Sequence, residues 1–70
     1  MKKVAVVTGV SGGIGYATAQ LLLKNGVAVV GMSRSTALNE PLEGEFTYVS
    51  GDVSKQEDRQ NLVETTINIY

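Results

Sequence analysis

Three apolar runs of strand length are spaced along the chain. The first, residues 3–8, is rich in valine and does not alternate with polar side chains, which predicts a strand buried on both faces. Residues 27–32 and Phe46–Ser50 have a similar apolar or branched character and predict two further strands. Strands buried on both faces are typical of parallel sheets, so we expect the first strand to be central.

A helix is predicted between the first two strands. Within residues 14–25 the apolar side chains recur at helical spacing, at Ile14, Ala17, Leu21 and Leu22. Asn25 and Gly26 follow, and together they predict a left-handed cap that ends the helix. The chain to this point is strand, helix, strand.

The rest of the chain contains a polar connection and a second helix. Residues 33–45 are mostly polar, include the single proline, and predict a loop. Ser54 and Glu57 have the spacing of a capping box, so a helix is expected to begin near Lys55 and run to the end. The predicted order β-α-β-β-α places the chain in the α/β class.

Composition excludes several classes of protein. With 70 residues, 43% hydrophobic and 19% charged, the chain is expected to form at most one small globular domain. A formal net charge of -1 gives no support for nucleic-acid binding, which usually needs a basic face. The lack of cysteine excludes disulfides and thiolate metal sites, and the lack of histidine removes the commonest metal ligand. We therefore expect no metal site.

Neither a membrane span nor a targeting segment is predicted. No apolar stretch is long enough to cross a bilayer, and glycine interrupts the short basic and apolar start too early for a signal peptide. A reducing compartment is compatible with the lack of cysteine. We expect a cytoplasmic protein that does not contact membranes.

The stretch TGVSGGIG, residues 8–15, joins the first strand to the first helix and contains four glycines. A glycine-rich turn there presents the free N–H groups of the helix N-terminus, where a pyrophosphate binds favourably. We expect Gly9 to make the turn, Gly13 to leave space for the phosphates, and Gly15 to allow close packing of the helix on the strand. A turn that serves backbone geometry alone is the alternative.

Three motifs together carry a resemblance to a known family. They are T-G-x-x-x-G-I-G at residues 8–15, GMSRS at residues 31–35 and GDVS at residues 51–54. Through them the whole chain resembles the short-chain dehydrogenase/reductase family. The resemblance implies a Rossmann-like βαβ unit with a third strand and a following helix, the N-terminal half of a doubly wound parallel sheet. The domain expected over residues 1–70 is then the incomplete N-terminal part of a dinucleotide-binding domain.

The end of the second predicted strand indicates which dinucleotide is bound. NAD-binding folds place an acid about 20 residues after the glycines, where it bonds the ribose 2′-hydroxyl. No acid occurs between Asn25 and Asn39, and Arg34 follows the neutral Ser33. An arginine there binds a 2′-phosphate and also lies over adenine. NADP(H) is therefore expected and NAD(H) is less favoured; a solvent-exposed loop arginine is the alternative.

The resemblance also implies roles for the GDVS motif. Asp52 would accept a hydrogen bond from the adenine amino group, and the backbone of Val53 would contact the ring. An acid before a helix also stabilises the helix dipole, which is the alternative role for Asp52, whereas Ser54 is expected to act only as a helix cap. The expected cofactor-binding residues are Thr8, Gly9, Ser11, Gly13, Ile14, Gly15, Ser33, Arg34, Asp52 and Val53.

The resemblance places catalysis outside these 70 residues. Family members use a tyrosine and a lysine four residues later, with a serine and an asparagine, all from the second half of the fold. Tyr16, Tyr48 and Tyr70 are not followed by lysine at that spacing. We expect no catalytic residue in this chain and leave open whether the chain by itself is an enzyme.

Three functions follow as hypotheses. The first is the NADP(H)-binding portion of an oxidoreductase that transfers hydride between the cofactor and a carbonyl or alcohol substrate. The second is a non-catalytic module that senses a nucleotide or adds its first strand to another sheet, and the third is an inert remnant. Since an open edge of the first strand invites pairing, self-association or a partner is expected there.

Overall fold

The three strands lie side by side in one parallel sheet. β1 (Val4–Thr8), β2 (Ala28–Ser33) and β3 (Phe46–Ser50) have the order β1-β2-β3 in the computed structural model, which describes residues 3–38 and 40–70. Residue 39, within the connection predicted at residues 33–45, lies outside the described residues, as do residues 1 and 2. The predicted strands and the α/β, Rossmann-like class are confirmed.

Helices cover the two faces of the sheet. α1 (Gly13–Lys24) joins β1 to β2, and its Ala19 is buried with Val29 of β2. α2 (Gln56–Ile69) lies on the opposite face, where Leu62 is buried with Val30 of β2. Because side chains alternate along a strand, β2 contributes to both cores and is buried throughout.

The prediction that β1 is buried on both faces is wrong for the described residues. β2 is the central strand, and β1 pairs along one edge only. Val4 and Val6 are 37% and 48% exposed on the face that carries Val30 in the paired register. α2 packs over β2 on that face and leaves the side chains of β1 uncovered.

Two predicted caps differ from the structure. Asn25 has a φ of -96°, so the left-handed position after α1 belongs to Gly26 alone, at φ +80°. The Asn25 side chain instead donates to the Leu21 carbonyl oxygen at 2.8 Å. The capping box is also wrong, because Lys55 occupies the N-cap position of α2 and Ser54 hydrogen-bonds backwards to Asp52.

Candidate cofactor site

The carboxyl ends of the three parallel strands open into one cleft. Its volume is about 560 Å³, and its lining residues are Thr8, Gly9, Ser11, Met32, Ser33, Arg34, Ser35, Gly51, Asp52 and Val53. This position, outside the carboxyl ends of the strands, is where open α/β sheets bind ligands. The volume lies within the range of small-molecule sites.

Most of the residues expected from the sequence meet in this cleft. Thr8, Gly9, Ser11, Ser33, Arg34, Asp52 and Val53 are all among its lining residues. The expected residues Gly13, Ile14 and Gly15 are not, since they form the first turn of the neighbouring α1. Sequence reasoning missed Met32, Ser35 and Gly51, although all three lie within the GMSRS and GDVS motifs.

The glycine-rich stretch turns sharply between β1 and α1. Gly9 and Gly13 have φ values of +66° and +57°, which residues with a side chain rarely adopt. At Gly15 the requirement is space, because a Cβ atom would lie 2.1 Å from the Gly9 carbonyl oxygen and 3.3 Å from the Val10 Cα. At Gly15, therefore, α1 comes closest to Gly9 and Val10, the two residues that follow β1.

The N-terminus of α1 is open to an anion. Its first turn holds no acidic side chain. The N-cap residue is Gly12, so no side chain at that position caps the free N–H groups of the helix. The Tyr16 N–H donates to the Gly12 carbonyl oxygen at 3.4 Å, so the N–H groups before Tyr16 precede the first intrahelical bond. The first turn of α2, by contrast, holds Glu57 and Asp58, which stabilise its dipole internally.

Ile14 and Glu40 border the same helix end. Ile14, in the first turn, is 87% exposed and covers nothing among the described residues of the core. Glu40, from the connection between β2 and β3, lines a shallow groove with Ser11, Gly12 and Gly13. The Glu40 carboxylate weakens the attraction of this helix end for an anion, whereas the Arg34 guanidinium in the neighbouring cleft adds to that attraction.

The loop after β2 is held by hydrogen bonds from β3. Ser33 is only 7% exposed, and its hydroxyl bonds to the hydroxyl of Tyr48. The Ser35 carbonyl oxygen accepts from the Tyr48 hydroxyl at 2.5 Å and from the Ser50 hydroxyl at 2.9 Å. Arg34, between these two anchored residues, is exposed and lines the cleft.

Asp52 is held in a tight local turn. Its Oδ1 accepts from the Ser54 hydroxyl at 2.7 Å and the Ser54 N–H at 2.9 Å, and its own N–H donates to Asp58 Oδ2 at 2.8 Å. The Ser54 hydrogen bonds lower the pKa of Asp52, and the positive charges of Arg34 and Lys55 act more weakly in the same direction. Asp52 is therefore an ionised hydrogen-bond acceptor at neutral pH.

No helix among residues 3–38 and 40–70 is both long and apolar enough to cross a membrane. The same described residues contain no cluster of side chains suited to hold a metal ion.

The polar groups of the cleft are hydroxyls, one guanidinium, one carboxylate and backbone groups. The guanidinium is a donor that suits a phosphate group, and the carboxylate is an acceptor.

Comparison with known proteins identifies the family. The sequence pattern of the short chain dehydrogenases matches residues 3–70. Tropinone reductase-like 1 from Erythroxylum coca is 43% identical over 72 residues, which cover 97% of this chain and 26% of that protein. An uncharacterised oxidoreductase from Thermotoga maritima is 42% identical over 77 residues, which cover 97% of this chain and 29% of that protein.

Solved structures give the same result. YwfH, an NADPH-dependent reductase involved in bacilysin biosynthesis, superimposes with a TM-score of 0.82 at 28% identity, over 93% of this chain and 30% of that chain. A C-terminal deletion mutant of the aldohexose dehydrogenase of Thermoplasma acidophilum gives a TM-score of 0.81 at 28% identity, over 99% of this chain and 28% of that chain. The chain thus spans between a quarter and a third of the length of these relatives. Because the pattern of the short chain dehydrogenases matches residues 3–70, the chain belongs to the short-chain dehydrogenase family.

Proposed function

We propose that this chain is the NADP(H)-binding portion of a short-chain oxidoreductase. The adenosine half of the cofactor would occupy the cleft between Arg34 and Asp52, and the pyrophosphate would lie at the N-terminus of α1. Two observations support the proposal: the family uses nicotinamide cofactors, and this chain has a cleft at the carboxyl ends of its strands, where open α/β sheets bind dinucleotides.

The preference for NADP(H) rests on one observation, the position of Arg34. It directly follows β2, lines the cleft, and takes the place where NAD-binding folds carry an acid. A guanidinium at that place attracts a 2′-phosphate, whereas a carboxylate would repel it. The description of YwfH as NADPH-dependent agrees with this preference.

The other expected residues have proposed roles that suit their positions. The backbone of Gly13, Ile14 and Gly15 would donate to the pyrophosphate, since these N–H groups precede the first intrahelical bond. Thr8 and Ser11 lie on the β1 side of the cleft and would brace the glycine-rich loop around the phosphates.

On the far side of the cleft, Asp52 and Val53 would contact the adenine. The Asp52 carboxylate is ionised and its Oδ1 accepts the hydrogen bonds from Ser54, so Oδ2 would be the oxygen that accepts from a ligand amino group. Val53 is 49% exposed at the cleft and supplies apolar surface for the ring.

The reaction proposed for the fold is hydride transfer between the bound nicotinamide and a carbonyl or alcohol substrate. These 70 residues would bind the cofactor, and they contain no Tyr-x-x-x-Lys motif. We propose that residues 1–70 form the N-terminal part of a Rossmann-type domain, in keeping with their share of the relatives' length. A cytoplasmic location belongs to the same proposal, is compatible with the lack of cysteine, and is tested by cell fractionation.

The test compares the affinities of NADPH and NADH for the wild-type chain and for Arg34→Ala, by calorimetric titration. Loss of a charge-assisted contact predicts NADPH binding weaker by about tenfold or more and NADH binding changed by less than about twofold. Lys24→Ala is the matched control, because it removes a positive charge at the far end of α1. An equal loss of both cofactors in Arg34→Ala would contradict the role of Arg34.

A second proposal concerns the 70-residue chain by itself, outside a complete doubly wound sheet: its β1 adds its outer edge to a strand of another copy of this chain. It is favoured by the exposure of Val4 and Val6 and by the pairing of β1 along one edge only among the described residues. Exposed apolar edge strands are sites of strand pairing. This proposal is compatible with cofactor binding, because the cleft lies at the carboxyl ends of the strands and not along their edge.

A further inference from the structure

Tyr48 connects the middle of β3 to the loop that carries Arg34. It pairs with Gly31 of β2, and its ring packs on the core beneath α1, with its centroid 6.5 Å from that of Phe46. Its hydroxyl hydrogen-bonds the Ser33 hydroxyl and donates to the Ser35 carbonyl oxygen at 2.5 Å. One side chain therefore holds the residues on both sides of Arg34.

The chemistry of the groups fixes the direction of these bonds. A tyrosine hydroxyl has a single proton, and a backbone carbonyl can only accept. The Tyr48 proton therefore goes to Ser35, and the Ser33 hydroxyl must donate to the Tyr48 oxygen. Because the Ser33 proton is used inside the protein, this side chain does not donate to a phosphate in this arrangement. Its contribution to the cofactor site is the support of its neighbour.

Further bonds complete the attachment of the loop. The Ser50 hydroxyl donates to the same Ser35 carbonyl oxygen at 2.9 Å, which occupies both lone pairs of that oxygen. The Ser33 carbonyl oxygen accepts from the Gly51 N–H at 2.8 Å. The backbone on both sides of Arg34 is thus hydrogen-bonded, at Ser35 to β3 and at Ser33 to Gly51, the residue that follows β3.

We infer that Tyr48, assisted by Ser50, is a positioning residue that sets the preference for a 2′-phosphorylated cofactor. Tyr48 does not line the cleft, so it acts through Arg34 and not by contact with the ligand. Arginine loses much rotamer freedom when it binds, and a backbone already held in place lowers the remaining cost of ordering. This inference rests on the proposed binding of NADP(H).

The test uses Tyr48→Phe, which removes the hydroxyl and keeps the ring in the core. NADPH affinity should fall about threefold to tenfold, the loss expected for about one neutral hydrogen bond, whereas NADH affinity should change by less than about twofold. Ser50→Ala should give a smaller loss of the same kind. Tyr70→Phe, the same chemical change at the exposed end of α2, is the matched control and should change neither affinity.

A double-mutant cycle separates positioning from a general structural role. If Tyr48 acts through Arg34, adding Tyr48→Phe to Arg34→Ala should cause no further loss of NADPH affinity. Additive losses, or equal losses of NADPH and NADH, would overturn the inference. If Tyr48→Phe does not fold, Ser50→Ala alone and in the same cycle carries the test, since Ser50 is exposed.

The same data distinguish this inference from the function on which it rests. A selective effect of Arg34→Ala with no effect of Tyr48→Phe or Ser50→Ala would refute the positioning role and leave the NADP(H) function standing. A wild-type chain that binds NADH as tightly as NADPH would refute both.

Discussion

A Cβ atom at position 15 would lie 2.1 Å from the carbonyl oxygen of Gly9. Real Cβ atoms do not approach an oxygen so closely, so any side chain at Gly15 must push α1 away from the turn after β1. Gly15→Ser should therefore lower the free energy of unfolding by about 1–3 kcal/mol or more, measured by urea denaturation.

Gly12→Ser is the matched control for that substitution. Gly12 has an extended φ of -170°, and a Cβ there would have no atom within 4 Å. Serine is also favoured at an N-cap, so this variant should be as stable as the wild type or more stable. Equal unfolding free energies for Gly15→Ser and Gly12→Ser would contradict the close approach of α1 to Gly9.

Asp52 should make stability depend on pH in the acid range. Its pKa is lowered in the folded chain by the hydrogen bonds from Ser54, so protonation opposes folding. The contribution of ionised Asp52 to the stability of the fold is complete above the ordinary pKa of an aspartate, about 3.9. It is lost as the pH falls through the lower pKa that Asp52 has in the folded chain.

Asp52→Asn isolates this effect, because asparagine keeps an oxygen for Ser54 and does not titrate. Unfolding free energies measured between about pH 5 and pH 2 should fall more steeply for the wild type than for Asp52→Asn. Identical slopes would show that Asp52 titrates normally in the folded chain.

Salt should reduce the preference for NADPH over NADH. The preference is assigned to attraction between the exposed Arg34 guanidinium and a 2′-phosphate, and screening weakens such attraction as the ionic strength rises. The ratio of the two dissociation constants should approach one as NaCl is raised from about 0.05 M to 0.5 M. A ratio that does not change with salt would point to shape and not charge as the basis of discrimination.

In the 70-residue chain by itself, the open edge of β1 should support association between copies. Val6, near the middle of the strand, is 48% exposed, and a lysine on an edge strand opposes strand pairing. Sedimentation equilibrium should show a mass that rises with protein concentration for the wild type and rises less for Val6→Lys. Monomeric mass for both proteins at every concentration would contradict pairing through this edge.

Local patterns along the sequence predicted the elements well because each element depends on nearby residues. The valine run of β1, the helical spacing of Ala17 and Leu21, and the glycines of the turn all act within a few positions. Errors arose where a distant element decides the outcome. The exposure of Val4 and Val6 depends on which part of the sheet α2 covers, and no pattern within β1 contains that information.

The candidate site was predictable to the extent that its motifs follow strands. Parallel strands bring the residues after β1, β2 and β3 to one edge, so Arg34 and Asp52 were expected together. The role of Tyr48 was not, because its hydroxyl acts across the sheet on residues 13 and 15 positions away. Ser54 was misassigned as a cap because its hydroxyl donates to Asp52, two residues earlier, and not to the first turn of α2.

The central claim is that the cleft at the carboxyl ends of the strands binds a nicotinamide dinucleotide. Titration of the isotope-labelled chain with NADPH, followed by amide correlation NMR, tests it most directly because it reports both binding and location. The account predicts saturable shifts at the amides of Gly13, Ser35 and Val53, with little change at Ile67 near the end of α2. The absence of saturable shifts, or shifts confined to α2, would contradict it.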